Sequence, residues 1–242
     1  MFDIVAILGR GIQRAFKGGP WVLTEDLELC DKDSAHLPVH AEADDDSPFC
    51  MIGGGEMNLL AGFYLACKFK PAVMVCAHGG RSKYLESIGA PSESEVMTGY
   101  LGTLLSTVKH DPIGEFEIVI WPRERQLPVP ANTRQELLNI FDLALDRGLS
   151  RIAIVTVGVH VPRTATYIAK HLSVYPQYRE LNPVLLESEE VLLDTDREKY
   201  AARVETMRAS KAFARNWARE ADGIQKIVRD VYGDAKPKVV VA

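Results

Sequence analysis

Along this chain, short apolar runs alternate with longer stretches in which apolar residues return every three or four positions. A continuous apolar run such as DIVAIL or RIAIVTV marks a strand covered on both faces, because side chains alternate between the two faces of a sheet. Runs of this kind predict strands over residues 3–8, 72–77, 116–121, 151–157 and 183–187. Helical spacing predicts helices over residues 57–69, 92–109, 133–147 and 162–172. Strand and helix in alternation imply βαβ units, which bring the strands into a parallel sheet with helices on both sides. The expected fold class is α/β: one domain over residues 1–242, built on a Rossmann-like, doubly wound, mostly parallel sheet.

Two segments depart from that alternation. Residues 18–55 hold turn residues, the acidic run Asp44–Asp45–Asp46 and one strand-like piece, WVLTEDLEL, and read as an insertion after the first strand. A hairpin carrying an acidic loop is the expectation there. Residues 195–232 carry Tyr200, Val204, Met207, Ala214, Trp217, Ala221, Ile224, Val228 and Val231 at intervals of mostly three or four, one apolar stripe. Thr195 with Glu198 has the spacing of a capping box. The segment is expected to be one long helix, or two broken near Ser210, packed on the domain or on a second copy of it.

Composition narrows the field of functions. Hydrophobic residues make up 47% and charged residues 25% of the 242, enough for a large core. A formal net charge of -5 gives no electrostatic reason to bind nucleic acid. No apolar run approaches the ~18 residues that span a bilayer, so a cytoplasmic protein with no membrane partner is expected. Cys30, Cys50, Cys67 and Cys76 form no CxxC pair and are read as reduced thiols. Asp31, Asp33, His36 and His40 look at first like metal ligands, but Pro38 interrupts the helix that would align the two histidines. A polar loop is the better reading, and no metal site is assigned.

In an open parallel sheet, ligands bind outside the carboxyl ends of the strands. The segments there are GRGIQR after the first strand, HGGRS after the second, PRERQLPVPANT after the third and GVHVPR after the fourth. Gly9 allows close backbone approach, and Arg10 can meet an anion. His78, Gly79, Gly80, Arg81 and Ser82 combine a glycine pair, whose N–H groups can converge on an anion, with further donors. Ser92 with Glu95 and Thr133 with Glu136 have capping-box spacing, which accounts for those two glutamates. Glu93 and Glu124 are left over as candidate acids or bases. His160 can move a proton near neutral pH, and Arg163 stands beside it in the first turn of a helix, where negative charge is favoured.

Taken in order, HGG, SESEVM, a glutamate after the third strand, ANT and HVPR resemble the YdcF/SanA/ElyC-like family of Rossmann-like bacterial proteins. The resemblance covers about residues 72–172 together with the opening strand IVAILG. Its Ser-Gly-Gly is matched by Gly79 and Gly80, with His78 in place of the serine. Ser92, Glu93 and Met97 match its Ser-Glu-Ala-x-x-Met, with Ser94 for the alanine. Glu124 matches its glutamate, Asn132 and Thr133 its Asn-Thr, and His160 and Arg163 its closing His-x-x-Arg. Gln135 and Glu136 stand where Glu-Asn is usual, and prolines Pro128 and Pro130 lie where a serine is missing.

The loop residues and the resemblance together lead to the expectation of a pocket in which His160, Glu124 and Glu93 are catalytic. Gly9, Arg10, His78, Gly79, Gly80, Arg81, Ser82, Asn132, Thr133 and Arg163 would bind the ligand. The expected function is a hydrolase or group transferase acting on an anionic small molecule: a nucleotide, a phosphorylated metabolite or an S-adenosylmethionine-like compound. The residues name no cofactor. The alternative is a non-catalytic sensor or scaffold using the same pocket. A homo-oligomer joined through the C-terminal helix is a further expectation.

Overall fold

A computed structural model describes residues 1–15, 18–24, 53–78, 88–108, 116–120 and 132–229. Seven strands occur among them: β1 Ile4–Ile7, β2 Ile12–Arg14, β3 Trp21–Leu23, β4 Val73–Cys76, β5 Glu117–Val119, β6 Arg151–Thr156 and β7 Asn182–Glu187. The helices are α1 Gly55–Phe69, α2 Glu93–Thr107, α3 Thr133–Asp146, α4 Val161–Val174, α5 Ser188–Thr195, α6 Arg197–Ala209 and α7 Lys211–Val228. Five strands form one all-parallel sheet in the order β5-β4-β1-β6-β7. This is a Rossmann-like, doubly wound α/β fold. The five strands foreseen from the apolar runs are the five strands of this sheet.

Alternation along each strand divides the core in two. Val5, Ile7, Met74, Cys76, Ala153 and Val155 face one way and pack under α1, α2, α5 and α6. Ile4, Ala6, Leu8, Val73, Val75, Ile152 and Ile154 face the other way, against α3 and α4 and Ile227 of α7. With both faces covered, strand residues are apolar without a break, and each fully buried aliphatic side chain contributes about 1.5–3 kcal/mol. Phe141 of α3 lies in the second layer, edge-on to Tyr178 at 5.4 Å.

The chain leaves β1 for β4 on one side and later enters β6 on the other. The crevice beyond the carboxyl ends of β1 and β6 is therefore the switch point at which such sheets bind ligands. The start of the insertion is a hairpin, β2 pairing antiparallel with β3, and it begins at Ile12, ahead of the expected boundary at residue 18. Arg14 lies over the ring of Trp21, 4.3 Å from its centroid. The acidic loop, His36, His40, Cys30 and Cys50 lie outside the described residues. Cys76 is a thiol in the core, and burial pushes its pKa up to about 12, which keeps it unreactive.

The tail differs from expectation in two ways. A helix, α5, follows β7 directly, and Thr195 is its last residue, its hydroxyl donating to the carbonyl of Val191. Asp196 caps the next helix instead, accepting from the Lys199 amide at 3.0 Å. The break near Ser210 is present: Ser210 ends α6 and caps α7 through the Phe213 amide. Among the described residues, no helix is long and apolar enough to cross a membrane.

Candidate functional site

Each strand that ends at the switch point hands its chain to a short loop, and the helices bring side chains to meet those loops. Beyond β1, the Arg10 and Gly11 amides both donate to Glu93, the first residue of α2, the second at 2.6 Å. A side chain at Gly9 would place its Cβ 2.5 Å from the Glu93 carboxylate, which would have to shift from its place against the loop amides. The close approach foreseen for Gly9 is thus made by a glutamate of the same chain. Arg10 turns toward α1 and donates through Nε to the Gly53 carbonyl at 3.2 Å. His78 follows β4, and its carbonyl accepts from Asn139 Nδ2.

Glu136 completes this side. Its Oε1 accepts from the Gly9 amide at 3.0 Å, and the His78 backbone amide donates to the same carboxyl group. The capping box expected from Thr133 and Glu136 is not formed. Asn132 caps α3 by accepting from the Gln135 amide at 3.0 Å, which moves every helical position by one and leaves Glu136 to reach across to β1. Burial, and then the nearby charge of Glu93, push the Glu136 carboxyl up to about 8 against those two amide bonds. The Ser92–Glu95 box is formed in full, and Glu93 beside it is released for the β1 loop.

His160 stands at the centre of the other half. It ends a 3-10 turn, Gly158–His160, that leads from β6 into α4. The ring is 2% exposed. Its Nε2 lies 2.9 Å from the Thr133 hydroxyl, and its Nδ1 lies 3.1 Å from Glu220 Oε1. Arg163, one turn on, pairs through Nε with Glu220 Oε2 at 2.8 Å and brings Nη2 to 3.1 Å from the same Nδ1. Burial lowers the His160 imidazolium to about 4, with the Glu220 hydrogen bond opposing and the charges of Arg10 and Arg163 assisting, so the ring is neutral at pH 7. Burial of Glu220 works against its charge. The His160 hydrogen bond and the neighbouring positive charges outweigh it and hold the carboxyl below its ordinary range. We assign the ring proton to Nδ1, facing Glu220 Oε1, which leaves the Nε2 lone pair to accept from Thr133 and makes the approach of Arg163 Nη2 to Nδ1 a contact and not a hydrogen bond.

Glu189, on α5, supports the turn from below. Both its oxygens accept from the Gly158 amide, at 3.0 and 2.8 Å, and burial raises its pKa. Among the described residues, no group of three or more histidines, cysteines or acids is arranged to hold a metal ion.

The structure thus brings Gly9, Arg10, Glu93, His78, Asn132, Thr133, His160 and Arg163 to one edge of the sheet. Gly79, Gly80, Arg81, Ser82 and Glu124 lie outside the described residues. Glu136, Glu189 and Glu220 join the site without a signal in the sequence that singles them out. The spacing of Glu136 from Thr133 disguises it as a cap, and the apolar stripe near Glu220 marks the neighbouring flank of its helix. Compared with models of known protein families, with curated proteins and with solved structures, the chain matches none of them.

Proposed function

We propose that the protein is a cytoplasmic enzyme, a hydrolase or group transferase divergent from the YdcF/SanA/ElyC-like family. It would act on an anionic small molecule at the switch point between β1 and β6. One observation carries the reading: the His160 ring lies between the buried Glu220 carboxylate, 3.1 Å from Nδ1, and the hydroxyl of the partly exposed Thr133, 2.9 Å from Nε2. A histidine oriented by a buried carboxylate with a hydroxyl on its other nitrogen suits general base catalysis, and this favours the enzyme over the sensor. Preference for an anion rests on the charge balance. The Glu136 pKa is raised to about 8 and Glu93 and Glu189 are drawn the same way, which sets Arg10 and Arg163 against one firm carboxylate, Glu220.

The test is a turnover screen with p-nitrophenyl esters, p-nitrophenyl phosphate, nucleotides and S-adenosylmethionine, run on wild type and His160→Asn. An enzyme loses turnover by about 10²–10⁴-fold in the variant, while the thermal shift induced by the same compound is kept. Binding without turnover in the wild type would establish the sensor instead. Self-association through the C-terminal helix belongs to the same proposal, since Trp217 and Val228 of α7 are 51% and 69% exposed. Sedimentation of wild type against Trp217→Glu reads it: a dimer in the first that is lost in the second.

A further inference from the structure

We infer that Thr133 is the nucleophile of this site and that the enzyme works by acyl transfer through a Thr133 ester, taking a small carboxylic ester or thioester as substrate. The inference rests on the catalytic reading of His160 and adds to it the attacking atom and the class of bond broken.

Three features of the geometry point to Thr133. Its hydroxyl lies 2.9 Å from His160 Nε2, so it occupies the lone pair that any base role of His160 would use. A water molecule would have to displace it to be activated. His160 and Glu220 are 2% and 3% exposed, while Thr133 is partly exposed, so the hydrogen-bonded row runs from a closed interior to an open end and only that end can meet a substrate. Glu220 Oε1 lies 3.1 Å from Nδ1 and, with the proton assigned there, leaves Nε2 as the accepting nitrogen toward Thr133, while Arg163 braces the carboxylate from its other oxygen. Thr133 also stands at the first position of the 14-residue helix α3, capped by Asn132, where the helix dipole favours the negative charge that grows on an attacked carbonyl oxygen.

The steps balance without any further reagent than water. Thr133 Oγ bonds to the carbonyl carbon as its proton passes to His160 Nε2, and Glu220 stabilises the imidazolium so formed. Collapse of the tetrahedral adduct breaks the carbon–oxygen or carbon–sulfur bond, and the leaving group takes the proton from Nε2 and departs as an alcohol or thiol. Water then attacks the Thr133 ester, giving its proton to Nε2. The carboxylic acid leaves and Thr133 recovers its hydroxyl.

The full chain is incubated with p-nitrophenyl acetate, with release of p-nitrophenolate followed and acid-quenched samples mapped by peptide mass spectrometry. The expected result is an initial burst and one acetyl group on Thr133. Both are lost in Thr133→Ala and in His160→Asn, with turnover down by about 10²–10⁴-fold, and both return in Thr133→Ser. Because Asn132 and not Thr133 caps α3, the Thr133 variants keep the wild-type circular dichroism. If Thr133→Ala keeps its turnover while His160→Asn loses it, His160 acts on water directly; the nucleophile is overturned and the enzyme reading stands. Absence of a burst and adduct in the wild type, or an acetyl group that survives His160→Asn, overturns acyl transfer through Thr133, whatever the outcome with phosphates or nucleotides.

Discussion

Helices α6 and α7 follow one another across Ser210, and apolar periodicity runs through both, yet they face the domain in opposite ways. In α6 the stripe is turned inward: Tyr200, Val204 and Met207 are all buried. In α7 the inward positions are Asn216, Glu220, Gly223 and Ile227, while Trp217 and Val228 of the stripe lie outside. Spacing of four, three and four makes those inward residues one face of the helix, and its first two members, Asn216 and Glu220, are polar. Helix α6 covers part of the hydrophobic core with an apolar inner face, and its polar contacts, Tyr200 to Tyr64, Arg203 to Glu56 and Arg208 to Glu187 and Glu190, lie at the edges of that face. Helix α7 covers the 3-10 turn and the start of α4, where His160 and Arg163 require a carboxylate. Gly223 there lets Arg163 pass, since a Cβ at that position would stand only 3.1 Å from the arginine Cδ. A helix that closes over a charged site turns its apolar stripe elsewhere.

The sharpest way to break the contrast is Glu220→Ala. It leaves Arg163 without its buried carboxylate, and unfolding by denaturant should show a loss of about 3–5 kcal/mol. A loss under about 1 kcal/mol, the usual worth of an exposed pair, would mean that α7 is held by ordinary contact, as α6 is. Met207→Ala on α6 should cost about 2–4 kcal/mol from the cavity alone, with no change in the pH dependence of stability.

Third in size is a pH effect centred on Glu136, the polar member of an otherwise apolar inner face on α3 (Leu137, Ile140, Phe141 and Ala144). Its folded pKa of about 8 lies above the unfolded 4.5, so the protonated carboxyl adds stability that is complete below about pH 4.5 and is lost as pH rises through 8. Wild-type stability should fall between pH 7 and 8.5 by about 1–2 kcal/mol, at a limit of ~1.4 kcal/mol per pH unit for one proton. Glu136→Gln should remove that slope. His160 acts in the opposite sense: with a folded pKa of about 4 against 6.5, it adds stability above pH 6.5 that is lost as pH falls toward 4. The smallest effect is expected at Trp217→Ala, within about 0.5 kcal/mol for the isolated chain. A larger loss would place the stripe of α7 at an interface.

The same division explains what could be read beforehand. Strands β1, β4 and β6 are legible because residues such as Ile4, Val5, Ala6 and Ile7 are apolar in unbroken succession, a local property of a doubly covered strand, and the edge strand β7 through its short run Val184–Leu185–Leu186. His160, Arg163, Thr133 and Glu93 are legible because they stand just past strands or at helix starts, which is also a local property. Helix α5 is not, because eight residues give scarcely two turns of periodicity. Glu136 and Glu220 are not either, because their partners Gly9 and His160 are 127 and 60 residues away. Nothing near a glutamate in the chain tells whether it meets water or a distant amide.

The grip of helix carboxylates on the loop amides has a consequence for how the molecule breathes. The amides of Gly9, Gly11 and Gly158 are each secured by a glutamate from α3, α2 or α5, and not by a rung of the sheet. Their exchange with deuterated solvent should therefore follow the docking of those helices. The amide of Ile154, deep in β6, should wait for the whole domain to unfold. Three glycine signals would then report the opening of the site's floor while the sheet beneath it stays shut.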